Sequence, residues 1–312
     1  MRRIPESSRP ARSGFTLVEL LVVIGIIALL VSLTAAAVMR VRRKATELQM
    51  RSDISQLSSS VTQFNVEYSV DHFPSVIILK NDLTTYNLGN VVEKESLLFL
   101  KRVWPRLQSQ IYTANLFPAT DARYSLGWFP DDPAAALTSS YTLTGDECLV
   151  FFLGGIQKSG ACIGFSANAN NPTIYNTATA SGTRKQLFDF PTSRLKAASN
   201  GPLVFLDPQG TMPYAYFSNY GIDNGYNRYA AVLGASDCPS LVANGAYKDA
   251  NGTYYNKSSF QIICAGTDKE FGQAPNGIWD SKSGLPFAAG ASDPGYDDLS
   301  NFHDRIMGAG TQ

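Results

Sequence analysis

From Phe15 to Met39 the chain is apolar at almost every position, interrupted mainly by Thr16, Glu19, Gly25, Ser32 and Thr34. The run exceeds the roughly 20 helical residues that cross ~30 Å of hydrocarbon. Beyond it the pattern turns periodic. Met50, Ile54, Leu57, Val61, Phe64 and Tyr68 alternate spacings of four and three, one stripe of an amphipathic helix. Arg51, Asp53, Gln56, Ser59, Gln63 and Glu67 fall off the stripe and are predicted to face solvent. No proline occurs between Phe15 and Ser69, so both halves read as one helix from Phe15 to about Ser69, stopped before His72-Phe73-Pro74. Its first half is apolar all round and its second half has one face to bury.

After the helix the signals shorten. Leu97–Val103 reads as a short helix ended by Trp104-Pro105. Glu147–Leu153 (ECLVFFL) reads equally as helix or buried strand, ended by Gly154-Gly155. Leu203–Leu206, Tyr214–Phe217 and Phe260–Cys264 read as strands between turn signals such as Asp207-Pro208 and Asp223-Asn224-Gly225. The tail from Gly266 to Asn301 is loop-like and acidic, and no fixed-period repeat occurs. The pattern predicts an α+β chain. Residues 1–14 form a basic leader, 15–39 a transmembrane span, 40–69 the amphipathic continuation of the helix, and 70–312 a globular domain on an antiparallel sheet with long loops.

Charge changes this picture little. The 26 basic and 26 acidic residues balance, which gives no support to nucleic-acid contact. Arg2, Arg3, Arg9 and Arg12 precede the apolar run and Arg40, Arg42, Arg43 and Lys44 follow it, so flanking charge alone does not orient the span. Cys148, Cys162, Cys238 and Cys264 permit disulfides in an exported domain. Cys148–Cys162 closes the shortest loop, and isolated buried thiols are the alternative. With two histidines, His72 and His303, and no phosphate-loop motif, nothing assembles a catalytic site. Ser193-Arg194-Leu195-Lys196 matches S-x-x-K without its companion motifs.

Glu19 is the anomaly. A carboxylate inside such a run costs about 2.5–3.5 kcal/mol when it meets lipid unpaired. Gly14-Phe15-Thr16-Leu17-Val18-Glu19, behind a basic leader and ahead of an apolar helix, resembles the processing motif of type IV prepilins and type II secretion pseudopilins. The resemblance implies a pilin-like fold and cleavage after Gly14 by a prepilin peptidase of the bacterial inner membrane. It implies N-methylation of the new amino group of Phe15. It also implies pairing of Glu19 with that amine on a neighbouring subunit as helices stack into a filament. Many pilins carry a proline about 22 residues into the mature chain; here Ala35-Ala36-Ala37 stands there.

The C-terminal end carries a second resemblance. Phe260–Asp268, followed by Phe271-Gly272 and by Gly295-Tyr296-Asp297-Asp298-Leu299-Ser300-Asn301-Phe302, resembles the ending of the type II secretion major pseudopilin, whose loop folds around calcium. On that resemblance Asp268, Asp297 and Asp298 are expected to ligate Ca²⁺, with Asp280 and Asp293 as further candidates. The spacing is not that of an EF-hand. Leu203–Tyr216 is faintly similar to a turn of the same family, with Gln209 in place of a tryptophan.

The expected protein is therefore a structural, non-enzymatic subunit of a type II secretion pseudopilus or a type IV pilus-like filament. Its expected partners are other pilin or pseudopilin subunits, the peptidase and the secretion or assembly machinery. Its span lies in the inner membrane and its domain in the periplasm. The alternative is an exported binding or enzymatic domain on a plain signal anchor, uncut or cleaved near Ala37.

Overall fold

The computed structural model describes residues 16–107, 128–129, 140–173, 184–198, 201–229, 232, 236–287 and 292–310. Contacts divide the chain into two compact units, Met1–Ala45 and Thr46–Gln312. Helix α1 covers Leu17–Glu67. It begins on a side-chain cap at Thr16 and ends in a Schellman motif. Ser69 takes a left-handed φ of 51°, its N–H bonds Val66 O at 3.3 Å, and Val70 N–H bonds Asn65 O at 3.0 Å. The chain thus leaves the helix a few residues before the proline, at a polar residue that tolerates the turn.

In the second unit β1 (Ile77–Lys80) pairs antiparallel with β2 (Ser140–Leu143), and α2 (Val91–Val103) lies between them in sequence. Asn90 caps α2, its Oδ1 accepting from the Val92 and Glu93 amides. That cap starts the helix two turns earlier than hydrophobic pattern alone suggested. Helix α3 (Gly145–Gly154) settles the ambiguous ECLVFFL stretch as helix, buried along its whole length. A capping box sets its start, with Thr144 and Glu147 satisfying each other's backbone amides.

The remaining strands are short. β3 (Gln157–Lys158) pairs with β4 (Ala161–Cys162), and β5 (Phe165–Ser166) with β6 (Arg184–Lys185). β7 (Leu195–Ala197) pairs with β8 (Leu203–Phe205). β9 (Ala215–Ser218), β10 (Phe260–Cys264) and β11 (Leu299–Ser300) form a three-stranded antiparallel sheet in the order β11-β10-β9. The architecture is α+β and pilin-like, a long N-terminal helix followed by small antiparallel sheets.

The stripe on α1 buries as its spacing requires. Met50, Ile54, Leu57, Val61 and Phe64 are all buried, and Phe64 packs edge-on against Phe73 and Phe152. Each such side chain contributes roughly 1.5–3 kcal/mol on leaving water. α3 lies flush on β9 because position 145 has no side chain: a Cβ there would sit 1.9 Å from Tyr216 O. A second cluster holds Phe217, Tyr247, Trp279, Phe287 and Met307. The acidic tail is therefore loop in conformation yet core in packing, with Trp279 fully buried and its indole N–H on Met307 O.

Asp53 departs from the expectation of a solvent-facing position. It is 3% exposed; its Oδ2 accepts from Arg194 Nη2 at 2.6 Å and from Tyr214 OH at 2.7 Å. Arg194 also donates to Leu206 O and lies over the Phe205 ring. The carboxylate pins the second half of α1 to the β7–β8 hairpin and the approach to β9. A second buried polar knot joins Ser75 and Tyr220 through Asp237, whose Oδ2 accepts both hydroxyls. The four cysteines are free thiols, with Cys148, Cys238 and Cys264 buried. Cys148 lies in the first turn of α3, whereas Cys162 sits against Gly154 at its end, so the shortest closure is not made.

Candidate assembly segment and acidic loop

The described part of the candidate processing motif begins at Thr16; Gly14 and Phe15 lie outside the described residues. Thr16 and Glu19 form a reciprocal cap. Glu19 Oε2 accepts from the Thr16 amide at 2.8 Å and from Thr16 Oγ1 at 2.8 Å, while Thr16 Oγ1 accepts from the Glu19 amide at 3.2 Å. This is a capping box, legible in sequence as T-x-x-E. The carboxylate that looked out of place in an apolar run therefore satisfies amides at the helix start, where the macrodipole also favours negative charge. Both bonds use Oε2.

Below the cap the large apolar side chains (Leu, Ile, Val, Met) from Leu17 to Met39 are between 45% and 78% exposed. Among the described residues one helix is long and apolar enough to cross a membrane. An apolar cylinder exposed on every side is a solvent mismatch in water and needs lipid or other helices around it. Gly25 lies within it, and a Cβ there would meet nothing within 4 Å. Its own fold does not require that glycine.

The acidic loop brings Asp297 and Asp298, just before β11, up to the segment after β10. Asp297 Oδ2 accepts from the Thr267 amide at 2.6 Å, from Thr267 Oγ1 at 2.5 Å and from the Asp268 amide at 3.2 Å. Gly266 makes this approach possible. It has φ +68°, and a Cβ would lie 2.5 Å from both Asp297 O and Oδ1. Asp298 is fully buried, its Oδ2 accepting from Gly272 N–H at 2.9 Å. Asp297 Oδ1 and Asp298 Oδ1 are buried without a hydrogen-bond partner.

Burial, then the neighbouring Asp297 and Glu270 charges, push the Asp268 carboxyl up to about 6. Burial pushes Asp298 well above the ordinary carboxylate range, with Asp297, Asp268 and Asp293 adding to it. Asp268, Asp297 and Asp298 thus share one neighbourhood, although among the described residues no three His, Cys, Asp or Glu side chains are grouped to hold one ion. Asp293 caps its own turn through the Gly295 amide. Asp280 is spent on the Lys282 amide and Ser283 Oγ, apart from the cluster. Gln209 donates its amide weakly to Gly266 O and Thr267 O, tying the β8–β9 turn to this loop.

Nothing among the described residues resembles a catalytic centre. Burial lowers His72 to about 4, and its ring packs beside Phe99 and Tyr220. His303 packs edge-on against Trp279. Ser193 and Lys196 are both exposed.

The geometry defines a class: a chain with an exposed apolar N-terminal helix, an acid capping its first turn, and an α+β head. Residues 9–35 match the family model of the prokaryotic N-terminal methylation motif, in keeping with the type IV prepilin and pseudopilin family. That motif marks structural, filament-forming proteins. No curated protein and no solved structure matches the chain.

Proposed function

We propose that the chain is a structural subunit of a type II secretion pseudopilus or related type IV pilus-like filament, cut after Gly14 by prepilin peptidase and methylated at Phe15. The carrying observation is the Thr16–Glu19 cap at the head of an exposed apolar helical segment, inside the matched motif. In the membrane the cap keeps part of the carboxylate's hydrogen bonding satisfied within the chain. Oε1 is left for a cation, and the amine of a neighbouring processed copy fits that need. Opposite charges ~4 Å apart attract strongly where the dielectric is low, which offsets much of their desolvation. The helix lies in the inner membrane before assembly and the head stands in the periplasm.

The test is the mass of the mature N-terminus together with filament yield. The expected result is a chain beginning at methylated Phe15, and loss of filaments in Glu19→Ala. An uncut chain, cleavage near Ala37, or normal filaments from Glu19→Ala would overturn the reading.

We further propose that Ca²⁺ occupies the acidic loop and that this favours the secretion branch. Two buried oxygens without partners, on adjacent aspartates beside a third, are what a hard cation neutralises. Asp297 and Asp298 would supply carboxylate oxygens, with Asp268 beside them. Backbone carbonyls and water complete such coordination shells.

A further inference from the structure

Between Lys248 and Tyr254, joined by an antiparallel bridge, the chain turns back on itself in a small tip that neither the apolar helix nor the acidic loop uses. On it stands Asn251-Gly252-Thr253, and Asn256-Lys257-Ser258 follows at once. Both triplets match the acceptor pattern for N-linked glycans. Asn171-Pro172-Thr173 is excluded by its proline and is buried as well.

The fold treats the two triplets differently. Asn251, Gly252 and Thr253 are all exposed. One carboxylate holds their backbone: Asp249 Oδ1 accepts from the Asn251 and Thr253 amides, each at 2.9 Å. The Gly252 amide donates to Asp249 O at 3.0 Å, and the Asp249 amide to Thr253 O at 2.9 Å. Gly252 has φ +85°, and a Cβ there would meet nothing within 4 Å, so the glycine serves the turn and not a close contact. With the backbone satisfied in this way, the Asn251 carboxamide and the Thr253 hydroxyl make no hydrogen bond among the described residues. Asn256 is committed instead. Its φ is 51°, its Nδ2 donates to Phe260 O at 3.1 Å, and its O accepts from Tyr226 OH at 2.7 Å.

Glycan transfer needs an amide nitrogen free to turn toward an electrophilic sugar carbon, with a hydroxyl two residues on within the enzyme's reach. Asn251 and Thr253 offer both on the folded chain, whereas Asn256 offers its nitrogen only after its bond to the start of β10 breaks. The Asn251-Gly252 pair is also open to deamidation, in which the Gly252 nitrogen attacks the asparagine side-chain carbon. That nitrogen is held in the turn by its bond to Asp249 O, which disfavours the attack.

We propose that Asn251 is the acceptor of an N-linked oligosaccharide, delivered by an oligosaccharyltransferase from a lipid-pyrophosphate-linked donor. Asn251 Nδ2 forms the new bond to the anomeric carbon of the sugar. The bond from that carbon to the pyrophosphate oxygen breaks, its electron pair leaves with the lipid pyrophosphate, and one amide proton passes to the medium. Transfer of this kind takes place outside the cytoplasm, so the assignment rests on the periplasmic placement of the head proposed above.

The test is peptide mapping by mass spectrometry of the full chain from its native cells, with the mature N-terminus read in the same sample. Asn251 is expected to carry a glycan and Asn256 to be bare. Thr253→Val should abolish the modification with the melting temperature unchanged, because the hydroxyl it removes has no partner in the fold. Thr253→Ser should keep the glycan, and Asn256→Gln should leave it as it is. An unmodified or merely deamidated Asn251, a glycan on Asn256 alone, or full modification of Thr253→Val overturns the inference. If Phe15 is methylated in that same sample, the filament reading stands while this one falls. A glycan on Asn251 in a chain with an uncut N-terminus reverses the two.

Discussion

Replacing Asp53 by alanine tests whether α1 and the sheets of the second unit behave as one mechanical piece. In the native fold the Asp53 carboxylate takes two short hydrogen bonds, from Arg194 and Tyr214, while 3% exposed. Its removal leaves the Tyr214 hydroxyl without that acceptor. Arg194 loses its counter-charge but keeps Leu206 O and the Phe205 ring. Breaking a buried ion pair from one side typically costs 3–5 kcal/mol. The Arg194 side chain is 17% exposed, and its remaining partners soften the loss, so about 3 kcal/mol is the expected figure.

The three hydrophobic clusters among the described residues lie wholly beyond residue 46, so the 46–312 fragment is the specimen and urea unfolding the assay. For a domain of this size the loss corresponds to roughly 6–12 °C in melting temperature. Asp53→Asn keeps an acceptor for Tyr214 and should lose about half as much. Asp53→Leu paired with Arg194→Met should regain most of it, because two apolar groups of similar volume replace the pair without stranding a charge. The reasoning is refuted if Asp53→Ala lowers stability by less than about 1 kcal/mol, or if the double variant is no better than the single one.

Further outcomes follow from other positions. Gly145→Val should unfold or strongly destabilise the 46–312 fragment, by about 3 kcal/mol or more on thermal melting, since even a Cβ meets Tyr216 O at 1.9 Å. Thr16→Val should fray the first turn of α1, read as faster amide exchange at Glu19 in micelles, because one half of the reciprocal cap is gone. Asp268 holds its proton up to about pH 6 in the folded chain, against about 3.8 when unfolded, and Asp298 is raised as well. The native state therefore binds more protons than the unfolded state across that interval. In chelator, stability should fall as the pH rises from about 4 through about 6. Millimolar Ca²⁺ should reverse the fall at pH 7.5, and Asp297→Ala should abolish the rescue. A melting curve indifferent to both pH and Ca²⁺ would count against the ion.

The elements that rest on local pattern were readable from the chain. The α1 stripe buries at the spacing its residues set, and β10 falls on Phe260–Cys264 as the apolar run suggested. Two helix starts were also legible, although hydrophobic periodicity does not reveal them. Thr144 with Glu147 and Asn90 ahead of Val91 are caps, and caps are written in polar residues. What was not legible depends on distance along the chain. Asp53 looked like a solvent position because its partners, Arg194 and Tyr214, are 141 and 161 residues away. Gln261 inside β10 is buried only because the Tyr247 and Tyr255 backbones saturate its amide. The candidate assembly acid stood out through its misfit in an apolar run, whereas its Thr16 partner did not.

The run from Val31 to Met39 carries no proline and stays helical, with Ser32 and Thr34 returning their hydroxyls to the carbonyls of the preceding turn. A rod without a weak turn has a fixed length. In the proposed filament such rods would let the fibre stretch under tension only where neighbours shift past one another, so its extension would be resisted by the contacts between rods and not by uncoiling.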